Sequence, residues 1–269
     1  MRPVASIVAL GIAWVSSLAA AVTPATPAAS GATTEPVEIQ FYAAASLRDA
    51  LEQLAPAIER ATGTRLVWNL GASNDLARQI VAAGKADVFF SADEGWTDRV
   101  AEAGWVDPGS RRSPISNRLV VIVPADSSLT IASAADLASP RLRRLSLAQP
   151  DAVPAGKYAK AWLESQGVWG AVAERVVPAI DVRAALAAVE SGAIEAGVVY
   201  RTDARMSVRV RVAYEVPEGE GPRISYALAA MAGRPQSERA RAAREVVAWL
   251  AGPEAAGVFE RLGFVVRTR

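Results

Sequence analysis

The chain has 269 residues, 51% hydrophobic and 21% charged, which excludes disordered and fibrous classes and suits one or two domains with a sizeable core. It contains neither histidine nor cysteine, so Ser-His and Cys-His nucleophilic catalysis, disulfides, lipid attachment at a thiol and the usual zinc and copper sites are excluded. Lys+Arg (29) nearly equals Asp+Glu (28), so no general attraction to nucleic acid or anionic lipid is expected.

The first residues carry one charge, Arg2, then an apolar run over 4–15 and a series of small residues through Ala19, Ala20 and Ala21. This pattern predicts a secretory signal peptide over 1–21. The run is too short for a membrane span, which needs about 20 apolar residues. Residues 22–36, rich in Thr, Pro, Ala and Ser, read as a flexible lead-in. The mature protein is therefore expected to be exported and soluble.

Residues 37–43 alternate like a strand, and 47–62 repeat apolar residues at helical spacing (Leu47, Ala50, Leu51, Leu54, Ile58) until Gly63. A strand over 65–70, a turn at Gly71-Ala72 and a helix over 74–83 follow. Residues 86–91 form a buried strand, and Asp93 is placed to cap a helix running through Ala103. Three strand–helix units in succession predict a parallel sheet flanked by helices. Residues 118–124 are a strand from which no helix returns directly, followed by a polar loop holding a short helix at 134–138. Strands at 145–149, 176–180 and 196–200 then alternate with helices at 154–166 and 181–191. Strands at 209–216 and 224–231 and helices at 237–250 and 254–262 complete the chain. The expected fold is α/β with two lobes, each a mostly parallel sheet flanked by helices. Residues 37–120 and 224–269 form lobe 1, and 121–223 form lobe 2. Strand ends point toward a central cleft, and two crossing segments permit hinge closure.

Four strand-to-helix junctions carry small residues: Ala45-Ser46-Leu47, Ala72-Ser73-Asn74, Val153-Pro154-Ala155-Gly156 and Asp181-Val182-Arg183. Ser46, Ser73 and Asp181 are either ordinary N-caps or, with the uncovered first-turn N–H groups, parts of an anion receptor. Tyr200 ends an apolar strand, as a core residue or with its hydroxyl facing the cleft. Gly71-Ala72-Ser73 matches half of a nucleophile elbow but lacks its closing glycine and any histidine. No phosphate loop is present. Helix caps and surface pairs account for Asp87, Asp93 and Asp98 more cheaply than a metal site. Trp96, Trp105, Trp162, Trp169 and Trp249 sit at packing positions.

The stretches 41–47, 71–80 (GASNDLARQI), 86–93 (ADVFFSAD), 153–159 (VPAGKYA), 181–186 (DVRAAL) and 197–200 together resemble the periplasmic molybdate-binding proteins, the substrate-binding components of molybdate ABC transporters. The resemblance runs from residue 37 to the end. It implies a type II periplasmic-binding-protein fold that binds molybdate, with tungstate as a second ligand, and partners a membrane permease. It also implies a monomer with no cofactor, no catalytic residue and no direct metal-ion ligand. Its ligand set falls on Ser46 and Ser73 (hydroxyl and backbone N–H), Ala155 and Val182 (backbone N–H) and Tyr200 (hydroxyl). Asn74-Asp75 departs from the family pattern by adding a carboxylate, whose place in the first helical turn favours a solvent-facing role. Neutral donors would hold a dianion by charge-assisted hydrogen bonds and disfavour a monoprotonated phosphate. The alternatives are a receptor for another oxyanion or a ferric complex, the latter weakened by the lack of consecutive tyrosines, or an exported carboxylate-dependent hydrolase.

Overall fold

A computed structural model describes residues 35–233 and 236–267. The expected signal peptide, and the lead-in up to residue 34, lie outside the described residues.

Strand β1 (Val37–Ala44) turns Ile39, Phe41 and Ala43 into the core at every second position. A 3-10 turn, Ala45–Leu47, leads into α1 (Arg48–Thr62), whose Ala50, Leu51, Leu54 and Ile58 make one buried stripe. Gly63 ends that helix in the left-handed region, at φ 64°, where a side chain would be strained. Next come β2 (Thr64–Gly71), α2 (Ser73–Ala83), β3 (Val88–Ser91) and α3 (Glu94–Glu102). Asp93 caps α3 as expected, accepting the Trp96 N–H at 3.1 Å.

After β4 (Arg112–Ser116) the chain crosses through Asn117 and Arg118 to β5 (Leu119–Pro124) and a second body. That body continues with β6 (Leu145–Ala148), α4 (Pro154–Ser165), α5 (Trp169–Val172), β7 (Val176–Ala179), α6 (Val182–Glu190), β8 (Ala196–Tyr200), α7 (Arg201–Arg205) and β9 (Val210–Glu215). A second crossing returns the chain to β10 (Tyr226–Ala230), and α8 (Glu238–Leu250), α9 (Pro253–Arg261) and β11 (Val265–Val266) finish the first body.

The sheet orders are β11-β4-β10-β3-β1-β2 and β7-β6-β8-β5-β9. Parallel pairing is confined to β1 with β2 and β3, and to β6 with β7 and β8; every other pairing is antiparallel. The mostly parallel sheets expected from the sequence are thus mixed sheets. A strand–helix unit returns its next strand parallel, whereas β5, β9 and β10 are reached by crossings or loops that impose no such direction. Four strands and α-helices were not expected: β4, which contains Pro114 and buries only Ile115, and the short α5, α7 and β11.

Strand β3 shows why the first sheet needs helices on both faces. Val88 and Phe90 enter the main core with Phe41, Leu51 and Val246, while Phe89 enters a smaller cluster with Leu76, Ile80 and Val100 beneath α2 and α3. In the second body, α4 starts hard against the end of β6. A Cβ on Gly156 would lie 2.0 Å from the Ala148 carbonyl oxygen, so only glycine allows this approach.

Candidate ligand-binding site

The ends of β1, β2 and β8, the turn after β3 and the first turns of α2, α4 and α6 meet around one small cavity. Ligands in open α/β sheets bind at such strand ends. Ser46, Ser73, Ala155, Val182 and Tyr200 all line it, and all five are buried. The sequence-predicted positions, drawn from both bodies, are therefore brought together in one place.

Neither serine caps a helix. Ala44 and Ala72 occupy the N-cap places, and each serine lies within the first turn, where the backbone N–H groups have no intrahelical acceptor. The Ser73 hydroxyl accepts the Ala92 N–H at 3.0 Å, which leaves its own proton free to be given elsewhere. The Ser46 hydroxyl lies 3.1 Å from the Tyr226 hydroxyl. Across the cavity, Pro154 is the first residue of α4 and has no N–H, so the first donors of that helix are Ala155 and Gly156. Asp181, by contrast, is an ordinary N-cap for α6, accepting the Ala184 N–H at 2.8 Å, and Val182 follows it as the first helical donor.

Tyr200 is 1% exposed, and its hydroxyl has no hydrogen-bond partner among the described residues. An orphaned buried hydroxyl costs about 1–3 kcal/mol, so its place on the cavity wall points to an acceptor that belongs there. Burial, reinforced by Tyr226 and Tyr158, holds its pKa well above the usual tyrosine value, so it remains a donor. Asp75, the residue that departs from the expected pattern, turns away from the cavity. It is about half exposed and pairs with Arg78.

Behind the cavity, Arg183 in the first turn of α6 reaches across to Asp49 on α1 and lies 2.7 Å, Nε to Oδ1, from Asp203 at the start of α7. The Asp203 contact is an ion pair whose geometry is not that of an aligned hydrogen bond. Burial pushes the Asp203 carboxyl up to about 7 despite the guanidinium beside it. Burial alone would lower Arg183, but Asp203 and Asp49 hold it above its ordinary value, and it stays charged. On the opposite rim, Lys157 pairs with Asp93 at 3.1 Å, and the Trp96 indole donates to the Ala152 carbonyl at 2.9 Å. Trp96 therefore bridges the two bodies and does more than pack. Sequence reasoning missed Arg183, Asp49, Asp203, Tyr226 and Asn117. The single signal available was the position of Arg183 directly after Asp181-Val182.

A larger open groove borders the crossing segments, lined by Arg118, Arg223 and Arg267, and two of these cations are committed. Arg118 pairs with Glu215 and Glu218, and Arg267 donates to Ser225 and the Ile224 carbonyl.

Two α/β bodies joined by two crossings, with a buried cavity between their strand ends, define a two-lobed binding protein of the type II periplasmic architecture. The chain belongs to the family of bacterial extracellular solute-binding proteins, whose pattern matches residues 39–265. It is 35% identical over 243 residues to the molybdate-binding protein ModA of Escherichia coli, covering 89% of this chain and 93% of that one. The molybdate-binding protein ModA of Haemophilus influenzae is 30% identical over 231 residues, with 84% and 89% covered. Among solved structures, the periplasmic molybdate-binding protein of Azotobacter vinelandii superposes with a TM-score of 0.74 at 26% identity, covering 86% of this chain and all of that one. The sulfate-binding protein SubI of Mycobacterium tuberculosis shares the fold at 20% identity and a TM-score of 0.72, covering 85% and 86%.

Proposed function

We propose that this protein captures molybdate in the cavity between its lobes, outside the cytoplasm, and delivers it as a monomer to the permease of an ABC transporter. Tungstate, the same tetrahedral dianion in shape and charge, is the second ligand. The protein performs no reaction on it. Ser46 and Ser73 donate through hydroxyl and backbone N–H, Ala155 and Val182 through backbone N–H, and Tyr200 through its hydroxyl. Lobe 1 is built from residues 37–120 and 224–269 and lobe 2 from 121–223, except that β5, starting at Leu119, belongs with the second sheet.

The observation that carries this reading is the polarity of the cavity. Neutral donors converge from both lobes, one of them the orphaned Tyr200 hydroxyl, and the single carboxylate on the wall, Asp181, is engaged in capping α6. Charge-assisted hydrogen bonds and helix N-termini hold a dianion in such a site without a salt bridge, so it can also let go. The ligand contacts both lobes and so shifts the open–closed equilibrium toward closure.

The test is a calorimetric titration with molybdate, tungstate, sulfate and phosphate, followed in parallel by tryptophan emission. Trp96 reports closure because its indole reaches the Ala152 carbonyl of the other lobe. Saturable one-to-one binding of molybdate with an emission change is expected. The absence of any saturable response to molybdate would sink the reading.

A further inference from the structure

We propose that Asn117 and Tyr226 are positioning residues that force the Ser46 hydroxyl to act as a donor, and so make the cavity select oxyanions that carry no proton. The inference rests on the oxyanion-binding reading above.

The hydrogen bonds run from the hinge inward, starting from a donor whose direction is fixed. Asn117, in the crossing between β4 and β5, accepts the Arg118 N–H at 2.9 Å. A backbone N–H can only donate, so the accepting atom is the amide oxygen and the other is the amide nitrogen. That nitrogen donates to the Thr202 hydroxyl at 2.9 Å and to the Tyr226 hydroxyl at 3.3 Å. With its oxygen already accepting from Asn117, Tyr226 is assigned as the donor to the Ser46 oxygen 3.1 Å away, the nearest acceptor for its own proton. Ser46 is then an acceptor toward the protein, and its proton turns to the cavity. Ser73 is set the same way by the Ala92 N–H. The relay is dry, since Ser46, Asn117, Thr202 and Tyr226 are all buried, so water cannot easily substitute for a missing partner.

The chemistry follows from this polarity. At neutral pH phosphate and arsenate retain a proton and need an acceptor, whereas molybdate, tungstate and sulfate do not. A serine free to rotate would offer its lone pair to that proton. One held by Tyr226 cannot, and a buried O–H facing only donors is heavily penalised. Asn117 also touches both lobes at once, through Tyr226 on β10 and Thr202 on α7, so the donor is aligned in the closed arrangement.

Tyr226→Phe tests this, because the ring keeps its edge contacts with Phe90 and Phe264 while the hydroxyl is lost. Calorimetry gives the molybdate affinity, and competition by arsenate against bound molybdate gives the affinity for a protonated tetrahedral anion. In the variant, molybdate should weaken by about tenfold while arsenate competes at least as well as in the wild type, so the selectivity ratio contracts. Asn117→Asp is the second variant. Its carboxylate draws the Tyr226 proton away, Ser46 must turn to donate to Tyr226, and the same contraction is expected with the Tyr226 ring intact. Equal losses for both anions, or an unchanged ratio in both variants, overturns the relay while leaving the binding site standing. A wild-type protein that binds no molybdate overturns the functional reading itself and the relay with it.

Discussion

The two walls of the cavity present donors by different means. The wall from the first sheet adds side chains to its first-turn N–H groups: the Ser73 hydroxyl accepts the Ala92 N–H, and the Ser46 hydroxyl pairs with that of Tyr226. The wall from the second sheet relies on backbone, the N–H groups of Ala155 and Val182 at the starts of α4 and α6, with Tyr200 as its one side-chain donor. A hydroxyl can be deleted by one substitution without moving anything else. A backbone donor survives almost any substitution at its own position but depends on the helix being held in place. The first wall should therefore be sensitive at the ligand residues, and the second at residues that pin its helices.

The largest effect is expected at such a pin. Arg183 ties the first turn of α6 to Asp203, which is fully buried, and across the cleft to Asp49. Arg183→Met removes the counter-ion of Asp203, and in urea denaturation at pH 9, where the wild-type carboxyl is ionised, it should cost about 3–5 kcal/mol of stability, the scale for breaking a buried pair. Near pH 7, where the carboxyl already titrates, protonation absorbs most of that loss. Adding Asp203→Leu removes the stranded carboxylate and should restore much of that loss. A loss below about 1 kcal/mol in the single variant at pH 9 would mean that α6 is held by its apolar face alone.

Effects one step smaller are expected at the donors themselves. Ser46→Ala, Ser73→Ala and Tyr200→Phe should each weaken molybdate binding by about 1.5–3 kcal/mol, the range for hydrogen bonds to charged groups. Ala155→Gly and Val182→Ala keep their N–H groups and should each change affinity by less than about 1 kcal/mol. Titration calorimetry on the five variants decides it. Comparable losses on both sets would erase the distinction between side-chain and backbone walls.

The pattern of what could be read from the sequence has a physical basis. The strand–helix units were legible because period-2 and period-3.6 burial is written locally, as in Ile39, Phe41 and Ala43 or Leu51, Leu54 and Ile58. The five cavity positions were legible because they sit at strand-to-helix junctions, and their order along the chain matches a known family. Strand direction was not legible, since an apolar run such as residues 119–124 looks the same in either orientation. The supporting network was also hidden. Asn117, Tyr226 and Ser46 are 71 to 180 residues apart, and Asp49 is 134 residues from Arg183. Nothing local marks a tyrosine at the start of a buried strand as a hydrogen-bond relay.

The smallest effect probes the contact between the walls. Asp49 on α1 and Arg183 on α6 belong to different lobes, and their side chains are 26% and 23% exposed, so water screens the pair and it is worth about 1 kcal/mol or less. Asp49→Asn leaves Arg183 paired with buried Asp203, so the second lobe keeps its internal support and overall stability should be nearly unchanged. The pair spans the two lobes, so its removal is expected to act on the closed state. Molybdate affinity should fall by no more than about fivefold, and the change should lie in the dissociation rate, with association unaffected. Stopped-flow measurement of Trp96 emission separates the two rates. A faster association with an unchanged dissociation rate would mean that Asp49 acts only by repelling the incoming dianion, and closure would then rest on the ligand, the Asp93–Lys157 rim and the Trp96–Ala152 hydrogen bond.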